Sequence, residues 1–562
     1  MTIDPVLATQ PQERTKAHWN DRVVKKRTRQ LALIPSSWHL PSAVLENPPL
    51  SSVEVIRGSG ILSPDELAWT EITDIRELAE LVKTQRVTSE KLTTAYCKRA
   101  AIAQQLTKCL TEIFFDKALS RAKELDEHLR KTGEVVGPLH GIPISVKDRF
   151  DVEGLDTTVG WVGLTNKPAT SNSSIVQLLE SMGAVLYVKT NIPQSLMMAD
   201  SYNHVFGQSV NAFNHTLISG GSSGGEGALV GAGGSILGIG TDIGGSIRVP
   251  SALQGLYSIF PTTGRVPWDC SFLHQHYLIP PVAGPMASSL ASTEYFMESL
   301  LASEPWKVDA TAIPIPWRKD LATPPADRKL KLGVIFDDGV VKPQPPVARA
   351  MRETVEALRA AGHEVIEWDT SLHLATTNLW TKGILADGGQ HCRALCDLID
   401  EPLIEGMIVG TPKDLLSVDE REQYEHTENT IQAAYLKQWT HSGIDALIMP
   451  VLPWVGYKPK TWVKSKQWLG YTAMWNLLNY AAVTVPVTNA NRDLDSVGAN
   501  GGEWENHSIR NESDAFNYLQ YDVDLVHGMP VCVQIVGGRF GEEKAVAVGK
   551  VVDELMNQRS CP

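Results

Sequence analysis

The chain has 562 residues, 43% hydrophobic and 20% charged, with a formal net charge of −13 and a pI of about 5.6. This composition supports a globular protein with a large buried core. It excludes the broad basic surface that nucleic-acid binding requires.

Residues 1–65 read as a proline-punctuated N-terminal extension packing on the core. Its one basic cluster, Arg22 to Arg29, reads as a solvated or partly flexible arm. The opening stretch is polar and lacks the apolar centre of a signal peptide. The longest apolar run, Gly227 to Thr241, is glycine-rich and too short for a bilayer span. A cytoplasmic protein without a transmembrane segment is expected. The seven cysteines, Cys97, Cys109, Cys270, Cys392, Cys396, Cys532 and Cys561, are odd in number and scattered. They read as buried free thiols rather than a disulfide framework or a metal site.

A helical region follows. Ile72, Ile75, Leu78, Leu81 and Val82 recur at helical spacing, and Thr88 and Ser89 suit the start of a second helix running through Tyr96 and Ala103. From about residue 140 the texture becomes α/β. Ile142–Val146 reads as a strand, Ile175–Met182 as a helix closed by Gly183, and Val185–Val188 as a strand. The pattern returns at Leu330–Phe336, in the helix marked by Val347, Met351, Val355 and Leu358, and at Val365–Trp368. Ala446–Met449 and Val531–Val536 read as core strands, with a polar, exposed insertion at Asn491–Asp514 between them. Such alternation implies a mixed sheet with helices on its faces. Without repeats or a linker, residues 66–562 are expected to form one large domain.

Two segments carry chemistry. One runs Ser219-Gly220-Gly221-Ser222-Ser223-Gly224-Gly225-Glu226-Gly227 and continues at Gly240-Thr241-Asp242-Ile243-Gly244-Gly245-Ser246-Ile247-Arg248. Serine supplies a nucleophile or donor, and glycine admits close approach. Consecutive N–H groups at Ile243, Gly244, Gly245 and Ser246 suit an oxyanion hole. A flexible linker is disfavoured by the interleaved Ala228, Leu229, Val230, Ile236 and Leu237. A phosphate loop fails because no Lys-Ser or Lys-Thr closes the run. Gly221 to Gly225 formally fits a nucleophile elbow on Ser223, but the preceding residues are too polar for the strand that motif needs. The other segment, Gly141 to Asp148, ends an apolar strand on Lys147. Alone, such a lysine reads first as a surface or ion-paired residue. Burial would make it a neutral base, and Ser–Lys pairing is a known variant of triad logic.

These two segments, with Lys189-Thr190-Asn191-Ile192-Pro193 and His527-Gly528-Met529-Pro530-Val531, resemble the amidase-signature family from about Glu71 to the end. Cys97 to Leu106 is similar to the fungal acetamidase branch, and the Gly-Gly-Glu-Gly-Ala wording is shared with fatty-acid-amide hydrolases. The resemblance implies a single large α/β domain with a central mixed twisted β-sheet covered by helices on both faces, beside a helical N-terminal region. It implies hydrolysis of a carboxylic acid amide without a cofactor or metal. Ser246 would be the acylated nucleophile, Ser222 the bridging serine on a cis peptide bond, and Lys147 the base. Ile243, Gly244, Gly245 and Ser246 would hold the oxyanion, and Leu196 would present a backbone group to the substrate. Phe260 departs from the family, which commonly has a basic residue there. Acyl or ammonia transfer as an amidotransferase subunit and a catalytically silent binding protein are the alternatives. The expected partner is a small-molecule amide, and a homodimer is the commonest assembly.

Overall fold

The computed structural model describes residues 19–269, 278–465 and 467–557. Cys270 and Cys561 lie outside these residues, as does the start of the N-terminal extension. Among the described residues, Cys97, Cys109 and Cys532 are buried free thiols, and Cys392 and Cys396 are half-buried.

Short runs of Val, Ile and Leu between turn residues form the strands. They are β1 (Leu110–Ile113), β2 (Pro143–Lys147), β3 (Val185–Thr190), β4 (Tyr202–Asn203), β5 (Gly207–Gln208), β6 (Leu237–Asp242), β7 (Tyr257–Phe260), β8 (Val282–Ala287), β9 (Lys331–Val334), β10 (Glu364–Glu367), β11 (Ala446–Pro450), β12 (Ala481–Asn489) and β13 (Pro530–Gly538). Eleven form one sheet in the order β1-β3-β2-β6-β8-β7-β12-β13-β11-β9-β10, and β4 pairs with β5. The sheet is mixed. β3, β2 and β6 run parallel near one end, where the edge strand β1 is antiparallel to β3; β9, β10 and β11 run parallel at the other, and the strands between are antiparallel. β2, β3 and β6 are buried along their whole length, which is why they read as continuous apolar runs.

Helices flank this sheet. Helix Ser174–Ser181 is followed by Gly183 at φ +89°, and helix Pro345–Ala360 by Gly362 at φ +88°, which is the left-handed exit that glycine permits. Helix Ser89–Thr107 starts on the Thr88 side chain, which accepts from the Lys91 N–H. Helix Ile75–Lys83 begins one turn later than the apolar spacing suggests, because Asp74 caps it and leaves Ile72 outside. Among the described residues no helix is long and apolar enough to cross a membrane.

The basic cluster is not a free arm. It lies in helix Trp19–Ala32. Lys26 pairs with Glu112 (2.6 Å) and Asp156 (2.7 Å). Arg27 donates to the carbonyls of Val205 (2.6 Å) and His204 (2.9 Å), and Arg29 donates to Asn166 Oδ1 (3.0 Å). These partners are remote in sequence, so the local charge pattern does not reveal the docking. The insertion at 491–514 is largely exposed but pinned. Arg349 holds the buried Asp495 (2.7 and 3.0 Å), and the buried Trp504 stacks on Tyr518 with centroids 5.2 Å apart.

Candidate active site

The parallel strands β2 and β6 end side by side, which brings Lys147 next to Thr241 and Asp242. Ligands commonly collect at the carboxyl ends of such strands. Lys147 is fully buried. Its Nζ lies 2.8 Å from Ser222 Oγ and 2.8 Å from Thr241 Oγ1. Burial drives its pKa well below the usual lysine value; Asp242 and Glu226 pull upward, while Arg149 reinforces burial. Desolvation therefore favours the neutral amine, the form able to accept a proton. Lys189, equally buried, differs. Its Nζ sits 2.9 Å from Asp148 Oδ1 and donates to Asp156 O and Thr157 Oγ1 at 2.7 Å each. That set of partners marks it as structural.

Ser222 follows a cis peptide bond after Gly221 and is almost fully buried. Ser223 is a staple. Its N–H donates to Ser246 O (3.2 Å), and its hydroxyl bridges the Thr241 N–H and C=O (3.2 and 3.3 Å). The formal elbow residue thus joins the two glycine-rich segments. Helix Gly224–Gly231 follows. Its buried Glu226 accepts from Ser145 and Thr190 hydroxyls on β2 and β3. Burial raises that carboxyl to about 7 against the pull of these hydrogen bonds and of Lys147.

The turn after β6 is fixed peptide by peptide. Trp380 Nε1 donates to Ile243 O (2.8 Å), Thr472 Oγ1 to Gly244 O (2.6 Å), and the Val249 N–H to Gly245 O (2.7 Å). Asp242 receives the N–H groups of Gly245 (2.7 Å) and Ile247 (3.0 Å). Gly245 stands at φ +133°, which side chains rarely tolerate. Of the four N–H groups expected at an oxyanion hole, that of Gly245 is therefore committed to Asp242. Those of Ile243, Gly244 and Ser246 donate to no protein acceptor among the described residues. The sequence could not separate them, because the choice depends on where the Asp242 carboxylate turns.

Asp242 is itself locked. Arg248 Nε and Nη2 reach its two oxygens at 3.1 and 3.0 Å, and Asn476 Nδ2 donates at 2.9 Å. Burial by itself would raise the Asp242 carboxyl, but Arg248 and these donors hold it below the usual range. Arg248 also meets Thr472 O, Gln534 Oε1 and Asn476 Oδ1, and its Cζ lies 4.0 Å from the Phe260 ring centroid. The departure at Phe260 thus has a physical account: the negative face of the ring receives the guanidinium.

Ser246 is half-buried in a cleft of about 20 Å³ lined by Gly221, Ile243, Gly244 and Gly245, with Leu196, Met198 and Trp380 among the other walls. That volume takes about one water-sized group. No hydrogen bond joins Ser222 Oγ to Ser246 Oγ among the described residues. Leu196 and its neighbour Ser195 both adopt left-handed backbone, φ 66° and 69°. Each costs of order 1–3 kcal/mol, and such outliers cluster at functional sites. A larger surface hollow, about 820 Å³ beside Arg76, Glu294 and Lys550, contains none of these residues. Sequence reasoning missed Thr241, Trp380, Thr472 and Asn476. Thr241 had a signal, its place beside Asp242 at a strand end. The other three sit on remote helices and had none.

The family model described as Amidase matches residues 91–546. Amidase 1 of Gibberella moniliformis is 36% identical over 93% of this chain and 100% of its own. An acetamidase of Emericella nidulans is 36% identical over 97% of this chain and 99% of its own. Among solved structures, a fatty acid amide hydrolase superposes with a TM-score of 0.90 at 30% identity, covering 99% of both chains.

Proposed function

The chain belongs to the amidase-signature family and hydrolyses a carboxylic acid amide, and from that premise we propose that Ser246, Ser222 and Lys147 carry the reaction on a short acyl group. The observation that carries the site assignment is Lys147: a fully buried amine 2.8 Å from Ser222 Oγ, with no carboxylate ion-paired to it among the described residues.

Neutral Lys147 takes the proton of Ser222 as Ser222 takes that of Ser246. Ser246 Oγ then forms a bond to the amide carbon, whose oxygen becomes negative. Hydrogen bonds from Ile243, Gly244 and Ser246 stabilise that oxygen where it develops. The C–N bond breaks as Ser222 hands a proton to the nitrogen and recovers one from Lys147, because an amide anion is too poor a leaving group to depart alone. Water attacks the resulting ester, the relay runs again, and the carboxylate leaves with Ser246 restored. Leu196 presents backbone to the substrate beside the nucleophile.

The apolar walls of the cleft support an aliphatic acyl group, and a short one is in keeping with the name of the Emericella nidulans acetamidase. The same reading takes the chain as a cytoplasmic homodimer needing no cofactor, supported by its scattered thiols and by the prevalence of two-fold assemblies. Two measurements test the core. A fluorophosphonate should label Ser246 stoichiometrically, with label and turnover both lost in Ser246→Ala. Turnover across straight-chain amides should peak at the short end; undiminished activity in Ser246→Ala, or a peak at long chains, contradicts the reading.

A further inference from the structure

The turn that carries Ser246 is held by Asp242 and Ser223 from within the glycine-rich segments and by Trp380 and Thr472 from outside them. One support from outside is Trp380, on helix His373–Ile384. We propose that Trp380 is a positioning and specificity-determining residue, orienting the oxyanion donors through its indole N–H and limiting the acyl group through its ring.

Three observations converge on this one side chain. First, Trp380 is 4% exposed, and its Nε1–H donates to Ile243 O at 2.8 Å. A trans peptide sets its N–H opposite its C=O in one plane. Fixing Ile243 O therefore fixes the direction of the Gly244 N–H, turned away from the indole and uncommitted to any protein acceptor among the described residues. Gly244 is thus the donor whose aim Trp380 controls. Second, the ring lies directly against that peptide: a Cβ added to Gly244 would stand 2.4 Å from Trp380 Cζ2. The peptide is held by a hydrogen bond and by a flat surface at once. Third, the same ring lines the cleft over Ser246 with Ile408 and Leu469. The side chain that orients the donor also takes up the space a longer acyl chain would need.

The neighbouring carbonyl shows why this support matters. Gly244 O is taken by Thr472, but the N–H on that peptide belongs to Gly245 and is spent on Asp242. Thr472 holds the turn without aiming a free donor. The peptide between Ile243 and Gly244 has no such internal tie, and the indole N–H supplies it. Preorganised donors act because they need no reorganisation when charge appears. A donor left to rock would lose part of that advantage while the ground-state amide still bound.

This inference rests on Ser246 being the nucleophile, and the experiment separates the two. Wild type, Trp380→Phe and Trp380→Leu are prepared as full chains and their folding compared by thermal melting. Three quantities are measured: kcat and KM on a short and a longer straight-chain amide, affinity for a short-chain trifluoromethyl ketone, and fluorophosphonate labelling of Ser246. The ketone forms a tetrahedral adduct whose oxyanion occupies the hole. Trp380→Phe keeps a ring and removes the N–H. Its kcat should fall about tenfold with KM within about twofold, because a donor is misaimed rather than deleted. Affinity for the ketone should fall by a similar factor. Loss of packing alone would not strike that affinity while sparing KM. Trp380→Leu should raise the ratio of kcat/KM for the longer amide to that for the short one. A Trp380→Phe enzyme with wild-type kcat and ketone affinity overturns the donor role. An unchanged chain-length ratio in Trp380→Leu overturns the size role, and it is decisive even if Trp380→Phe does not fold. If wild type neither labels at Ser246 nor turns over amides, the nucleophile assignment falls and the role of Trp380 falls with it.

Discussion

Replacing Asp242 with asparagine tests how the turn that carries Ser246 is held. The change is nearly isosteric, so packing is preserved while charge and acceptor pattern are not. In the native protein Asp242 and Arg248 are both fully buried, 3.0 Å apart at their nearest atoms. The carboxylate receives five hydrogen bonds, from the N–H groups of Gly245 and Ile247, from Arg248 Nε and Nη2, and from Asn476 Nδ2. An asparagine turns one of its two oxygens into an NH2 facing donors. Removing one charge of a buried pair costs about 3–5 kcal/mol, because the other is left uncompensated. Whole-domain stability is only about 5–15 kcal/mol, so the urea midpoint, followed by tryptophan fluorescence, should fall conspicuously. Since Gly245 and Ile247 flank Ser246, kcat should fall as well, by about a hundredfold if one oxyanion donor is lost. The pH dependence has a definite sign. Burial raises the Asp242 carboxyl, but Arg248 and the N–H donors outweigh it, so the folded value lies below the ordinary one of 3.8. A carboxylate depressed on folding contributes stability above its unfolded pKa and loses it as pH falls through the folded value. The gap between wild type and Asp242→Asn should therefore be full at neutral pH and narrow only below about pH 4. A variant within about 1 kcal/mol of wild type at neutral pH, or a gap that stays constant into acid, refutes this account of the turn.

Activity should rise with pH on the acid side as Lys147 loses its proton, and burial places that rise well below the ordinary lysine value of 10.5; a flat kcat/KM profile from acid to alkaline pH counts against Lys147 as base. Gly244→Ala should abolish turnover, because its Cβ would stand 2.4 Å from Trp380 Cζ2 and displace either the turn or the ring; a steady-state assay on a folded variant decides. Phe260→Ala should cost about 3–5 kcal/mol by denaturant unfolding, since a buried ring is deleted and Arg248 loses the face it stacks on. Lys26→Met leaves Glu112 and Asp156 without their shared cation, so limited trypsin digestion should cut within Arg22–Arg29 faster than in wild type. An unchanged cleavage rate would mean that these ion pairs do not hold the helix.

The candidate site was legible in the sequence because each part of it is local. Lys147 ends a strand whose apolar run announces it, and both serines sit in glycine-rich segments whose composition fits no ordinary linker. The α/β order was legible for the same reason, since strand and helix periods are properties of neighbouring residues. Phe260 stood out as a departure, but only its ring against Arg248 explained it. The basic helix at Arg22–Arg29 was misread, because Glu112 and Asp156 answer its charge from elsewhere in the chain. Tertiary structure alone decided which N–H groups of this turn stay uncommitted. The sequence offers four at Ile243 to Ser246, and the turn of the Asp242 carboxylate removes Gly245 from them. It also decided that Trp380 and Thr472, from two helices far along the chain, fix the carbonyls of that turn. Local sequence sets which groups are available. Packing between distant elements sets where they point, and for hydrogen bonds direction determines what they can stabilise.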